Sequence, residues 1–212
     1  NVPLVGCSSA GEFTEQRVEK GSIALALFQS DTHKFFTSYG EGLEADPDAC
    51  VRSAIDKFPP SVDGYPHRSF LLYHDGLVGR GEEAVLAAMT YLSAGYRFSG
   101  GSAGDDLAFD KSYVFCNERV LRDGVVLCLW ASKEPIAISV KHGHQPLSKQ
   151  LTVTKSEGSR LIEVDGRPAW DVWREETRRA AAEVGIDVDA LSDSNEIGSF
   201  LLRFELGLAT GE

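Results

Sequence analysis

The sequence lacks any long apolar run. Its longest, Ser22–Phe28 and Gly124–Trp130, fall far short of the roughly 20 residues a membrane-spanning helix needs. No run of Lys or Arg offsets the formal net charge of −11, made by 32 acidic against 21 basic residues. Such a field repels polyanions, which excludes nucleic acid and anionic membrane as partners and leaves a small solvated molecule or another protein. Cysteine is sparse: Cys7, Cys50, Cys116 and Cys128 form no C-x-x-C pair, and no compact Cys/His cluster has zinc spacing. Cys50 and Cys128, set among apolar residues, read as buried free thiols. No signal peptide is visible. The chain starts at Asn1 and stops in mid-pattern at Thr210-Gly211-Glu212, so a piece of a cytoplasmic protein, cut at both ends, is expected.

What is present is ordinary globular composition, 42% hydrophobic and 25% charged, in 212 residues that can bury one large core or two smaller ones. Val2–Cys7 reads as a short strand. Gly21–Phe28 and Thr32–Tyr39, joined by Gln29-Ser30-Asp31, predict an antiparallel hairpin. Asp46-Pro47 opens a helix with Val51, Ala54, Ile55 and Phe58 on one face, ended by Pro59-Pro60. Ser69–Tyr73 predicts a buried strand, and Glu82–Leu92 a helix that turns Val85, Ala88, Met89 and Leu92 inward. Further strands are expected at Ser112–Leu121, Gly124–Ala131, Ile136–His142 and Leu151–Lys155. A helix begins at Pro168, with Trp170, Trp173, Thr177, Ala181 and Val184 inward and Gly185 closing it. Phe200–Leu206 reads as the start of another strand. Helices interspersed among hairpins predict a mixed α/β fold with largely antiparallel sheets and flanking helices.

Two stretches share the pattern S-A-G-acid: Ser9-Ala10-Gly11-Glu12 and Ser102-Ala103-Gly104-Asp105. Each precedes an apolar strand-like segment, Ile23–Leu27 or Val125–Leu129. The correspondence predicts an internal duplication, with a ligand site where the two small-residue loops converge.

Around those loops lie the candidate binding residues. Gly100, Gly101, Ser102, Gly104, Asp105 and Asp106 form a glycine-rich turn whose amides can approach a ligand while the two aspartates favour an ammonium group. Together they suit a zwitterion such as an amino acid. Asp105 or Asp106 serves equally as a cap for backbone amides. No P-loop or complete dinucleotide fingerprint follows. Cys7, Ser8, Ser9 and Gly11 make up the first loop. Gly6-Cys7-Ser8-Ser9-Ala10 lacks the last glycine of a nucleophile elbow, so a hydrolase with Cys7 or Ser8 as nucleophile is the third reading, behind a binding module and a haem sensor. His74 and Asp75 end a buried strand, a place for ligand contacts as well as for turn chemistry. His142 and His144 lack a third metal ligand. His33 sits beside Phe35, Phe36 and Tyr39, the surroundings of a haem-ligating imidazole and of any sheet strand alike.

The ordered set Val5–Glu12, Asp75-Gly76-Leu77, Gly100–Asp106, Val114-Phe115, Asp123–Val126, Gln145-Pro146-Leu147, Val153-Thr154 and Glu163–Ala169 resembles the FIST family, named for F-box and intracellular signal transduction. The resemblance implies an N-terminal sensing region up to about residue 155, missing its first elements, and the start of the C-terminal region over 156–212. It implies a small-ligand sensor, without catalysis or cofactor, for which amino acids are the proposed ligands. The implied output partners are histidine kinases, cyclic-di-GMP enzymes or chemotaxis receptors. One branch of the family senses nitric oxide through haem; under that alternative His33 is the residue expected to bind iron.

Overall fold

The computed structural model describes residues 2–92, 95–141, 143–158 and 160–207, excepting the side chains of residues 194 and 195. The chain divides into two compact units, Asn1–Val140 and Lys141–Glu212.

The first unit contains β1 (Val5–Cys7), β2 (Glu12–Phe13), β3 (Val18–Glu19), β4 (His33–Glu41), α1 (Pro47–Ile55), β5 (His67–His74), α2 (Gly81–Tyr91), β6 (Arg97–Ser102), β7 (Val114–Cys116), β8 (Arg119–Leu121) and β9 (Gly124–Ser132). Its main sheet has the order β4-β9-β5-β6, antiparallel except for the β5–β6 pair. The apolar run of β9 occupies a central position, where both faces are covered and almost every residue is buried. On one face Phe70, Leu72, Val125, Leu127 and Leu129 meet α1 and α2. Part of the other face, Val126 with Tyr39 and Tyr73, packs under a second sheet of order β1-β7-β8. The β2–β3 hairpin stands separately.

Helix α1 starts as its sequence dictates. Asp46 accepts the Ala49 N–H at 2.9 Å, Pro47 occupies the first turn, and Cys50, Val51 and Ala54 are buried. In α2 the buried residues are Ala84, Ala87, Ala88 and, just past its end, Leu92. Met89, expected inside, is 56% exposed. Small alanines, rather than the larger Val85 and Met89, form the face that lets this helix approach the sheet closely.

The second unit holds β10 (Val153–Glu157), β11 (Arg160–Val164), β12 (Arg167–Pro168), α3 (Ala169–Glu183) and α4 (Ser194–Arg203). The three strands form an antiparallel meander in the order β10-β11-β12. At the end of α3 the Gly185 N–H reaches the Ala182 carbonyl at 3.1 Å and the Ile186 N–H reaches Ala181 at 2.9 Å. This Schellman closure needs the left-handed φ of +78° at Gly185. Val184, expected to face inward, is half-exposed beside the cap.

Three expected strands are absent. Phe200 belongs to α4 instead of a strand, because Ile197, Phe200, Leu201 and Phe204 recur at helical spacing; Phe200, Leu201 and Phe204 pack with Trp170 and Trp173. Residues 136–141 form no strand, and His142 lies outside the described residues. Gly21–Phe28 does not pair with β4. There the Ser30 hydroxyl takes the Thr32 N–H at 3.1 Å and bonds His33 Nδ1 at 2.8 Å, which bends the chain away from a hairpin. Phe28 folds back onto Phe35 and Trp130 instead, with ring centroids 6.4 and 4.8 Å away.

Candidate functional site

The two small-residue loops meet. The Gly104 N–H donates to the Ser8 carbonyl at 2.9 Å and the Asp106 N–H to Ser9 at 3.1 Å, while the Ser8 hydroxyl donates to the Gly104 carbonyl at 2.5 Å. Ser8 Oγ also accepts the Tyr113 N–H at 2.8 Å. A side chain at Gly104 would come within 3.1 Å of the Ala10 nitrogen. The loops are therefore joined directly to one another by main-chain and hydroxyl hydrogen bonds. They also differ in setting, because β1 belongs to the three-stranded sheet and β6 to the four-stranded one. The strand-like segment after the first loop is exposed, whereas its counterpart is β9, so the expected duplication does not extend to the fold.

Most loop side chains are committed to the protein itself. Ser9 donates to Glu12 Oε1, and the Ser22 hydroxyl to Oε2 at 2.8 Å; these bonds hold the Glu12 carboxyl below its ordinary range. Gly11, with φ +147°, passes close to the Glu19 carbonyl. Burial pushes the Cys7 thiol up, the opposite of what a nucleophilic thiolate requires. Asp105 accepts the N–H groups of Phe109, Asp110 and Lys111 at 2.7–3.0 Å. Burial alone would raise its pKa, but these three donors outweigh it and hold the carboxyl below its usual range. Asp105 is thus a loop cap. Asp106, at φ +57°, is exposed.

Asp75 is 4% exposed and joins three segments. Its Oδ1 accepts the Ser112 hydroxyl and the Leu77 N–H at 3.0 Å, and its Oδ2 accepts the Asp123 N–H at 2.9 Å. Ser112 Oγ in turn accepts the Gly76 N–H at 3.1 Å. Burial raises the carboxyl's pKa, yet these bonds and the charge of Arg122 bring it below the ordinary value.

Asp75 forms part of the wall of an open pocket of about 420 Å³. Leu77, Val78 and Phe109 supply apolar surface, Lys111 and Arg122 positive charge, and Glu44, Asp110 and Asp123 negative charge. Lys111 pairs with Asp110 at 2.9 Å, whereas Arg122 makes no ion pair among the described residues. Of the candidate binding residues named from sequence, Asp75 lines this pocket, joined by Leu77 and Asp123 from the stretches that carry the family resemblance. Lys111 and Arg122 carry no motif; only their approach in space, through the 105–112 loop and the β8–β9 turn, marks them.

His74 and Ser102 are brought together, as are His33 and its aromatic neighbours. His74 Nε2 lies 2.9 Å from Ser102 Oγ, and its Nδ1 lies 2.9 Å from the Asp75 carbonyl. Gly100 lets β6 run against β5, since a Cβ there would stand 1.7 Å from the Leu72 carbonyl oxygen. Gly101 beside it is exposed, with nothing within 4 Å of a Cβ position. His33 is half-buried and stacks on Phe35, edge-on to Trp130. His144 lies 3.5 Å from Glu205. Among the described residues no group of three or more His, Cys, Asp or Glu is placed to hold a metal ion, and no helix is long and apolar enough to cross a membrane.

A helix-backed mixed sheet whose loops gather polar side chains around a small pocket defines a mixed α/β domain with a candidate small-molecule site. Residues 1–167 match the FIST N domain, and the chain belongs to the FIST family, whose domains are sensory modules associated with signal transduction. It is also similar to the uncharacterized protein MJ1623 of Methanocaldococcus jannaschii, at 27% identity over 179 residues, covering 81% of this chain and 34% of that protein. The chain thus spans about a third of that curated relative's length.

Proposed function

We propose that this chain is the small-ligand-binding part of a sensory input region and that its ligand is an α-amino acid held in the pocket beside Asp75. The supporting observation is the pocket's mixed lining. Arg122, free of ion pairs among the described residues, suits a carboxylate; Glu44 and Asp123 suit an ammonium group; Leu77, Val78 and Phe109 suit an apolar side chain. Binding acts by population shift, since a ligand that favours one packing of the 105–112 loop stabilises that packing for a partner to read. Histidine kinases, cyclic-di-GMP enzymes and chemotaxis receptors are the proposed partners. Calorimetric titration with the standard amino acids tests the reading. At least one is expected to bind, with affinity falling about tenfold or more in Arg122→Gln; an affinity unchanged in that variant would refute the site.

A second reading, a haem-based nitric oxide sensor, has its own support at His33. Ser30 and Thr32 engage its Nδ1 at 2.8 and 3.0 Å, while Nε2 has no hydrogen-bond partner among the described residues. Phe35 and Trp130 flank the ring, Phe28 packs on both of them, and the buried Trp130 Nε1–H lacks an acceptor among the described residues. These residues fit an imidazole ligand beside a flat apolar group. Haem would supply iron that binds nitric oxide; His33 would hold the iron and the three aromatic side chains would contact the ring. A Soret shift on adding haem, lost in His33→Ala, is expected under this reading. An identical spectrum in the variant would exclude it.

A further inference from the structure

Beyond ligand binding, one pair of side chains is arranged for chemistry. His74 and Ser102 lie opposite each other in the parallel ladder of β5 and β6, at the carboxyl ends of those strands. His74 is 7% exposed, whereas Ser102 is open to solvent. The Asp75 carbonyl can only accept a hydrogen bond, so a neutral His74 carries its proton on Nδ1. Nε2 then presents a lone pair, and the Ser102 hydroxyl 2.9 Å away must donate to it. This is the geometry of a serine with its general base, the base oriented by a third group. Gly81, the first residue of α2, closes over the imidazole, where a Cβ would stand 2.6 Å from Cε1. Any ring flip is thereby opposed. The first turn of α2, whose N-cap Arg80 places no side chain on its amides, opens beside the pair.

We propose that Ser102 is a nucleophile that accepts acyl groups from activated esters, with His74 as its general base. Ser102 Oγ bonds to the ester carbonyl carbon as its proton passes to His74 Nε2. The bond from that carbon to the leaving oxygen then breaks, and the proton leaves Nε2 with that oxygen, so His74 returns to its neutral form. Gly100-Gly101-Ser102-Ala103-Gly104 has the G-x-S-x-G spacing of hydrolase elbows, but the amides that follow the serine are already used. The Ala103 N–H donates to the His74 carbonyl at 2.8 Å, and the Gly104 N–H to Ser8. Without those donors for a tetrahedral oxyanion, only an ester with an activated leaving group acylates Ser102, and the acyl-serine, whose leaving group is an ordinary alkoxide, hydrolyses slowly. The product is a lasting acyl mark, not turnover.

The test is incubation of the chain with p-nitrophenyl acetate, followed by mass mapping. Acetyl on Ser102 is expected, absent in Ser102→Ala, retained in the exposed helix variant Ser53→Ala, and formed about a hundredfold more slowly in His74→Gln. Acetyl appearing elsewhere, or equally in urea-unfolded protein, overturns the proposal. Because His74 is buried and its replacement can unfold the chain, Ser102→Cys gives an independent reading. Burial raises the Cys7, Cys50 and Cys128 thiols, the last two to about 11, and Cys116 is buried, so the new thiol reacts apart from them. Its alkylation by iodoacetamide should persist well below the ordinary thiol range of about 8.5, because His74 takes its proton. An alkylation profile centred on the ordinary thiol value overturns the pairing even if Ser102 acetylates.

Discussion

Two segments of this chain are written in nearly the same alphabet and meet opposite fates. Val125, Val126, Leu127 and Leu129 of β9 are 0% exposed, whereas Ile23, Leu25 and Leu27 are 94%, 66% and 79% exposed. Apolarity and β-propensity are common to both. The difference is in neighbours: β9 is bonded to β4 on one edge and β5 on the other, and is covered by helices and a second sheet. Ile23–Leu27 has no ladder partner among the described residues. Strand character is therefore conferred by a paired edge and a covered face, and the pattern of side chains only permits it.

Substitutions test that contrast. Leu127→Ala should have the largest effect, a loss of about 3 kcal/mol measured by urea unfolding, since it opens a cavity between the sheet and both helices. Asp75→Ala follows at about 2–3 kcal/mol, because it strips acceptors from the Leu77 and Asp123 amides and the Ser112 hydroxyl. That loss depends on pH with a definite sign. The folded pKa of Asp75 is depressed, so its stabilisation is complete above the unfolded carboxylate value of about 3.9 and disappears as pH falls through the folded value. The gap between wild type and variant in unfolding stability should narrow as the pH falls through that value. Asp46→Ala removes the cap of α1 and should cost about 1 kcal/mol, seen in the same unfolding assay. Leu25→Ser should change stability by less than about 0.5 kcal/mol. A cost near that of Leu127→Ala would mean that the 21–28 segment is packed in solution, and the contrast drawn above would fail.

The same reasoning explains what could be read in advance. Local codes were legible: Asp46-Pro47 started a helix, Gly185 ended one, and the run at Gly124–Trp130 became the central strand. The 21–28 hairpin failed because its turn residue Ser30 spends its hydroxyl on Thr32 and His33. Phe200 failed because a short apolar cluster fits both periods, and its contacts with Trp170 decide for the helix. For the site, the meeting of the two loops was foreseeable from their shared pattern. Their direct bonding was not, since it rests on which main-chain groups face each other. Lys111 and Arg122 belong to no motif, and only the turns that follow β6 and β8 bring them to one pocket.

The knot at Asp75 has one further consequence. A single carboxylate fastens the chain at 77, 112 and 123, all of which border the hollow proposed to receive the ligand. Anything lodged there cannot shift one border without tugging the other two, so occupancy is felt at the root of β9 and in the 105–112 loop together. Reciprocity then holds: a change that slackens this fastening must alter how tightly the guest is held, by the same factor that the guest tightens the fastening.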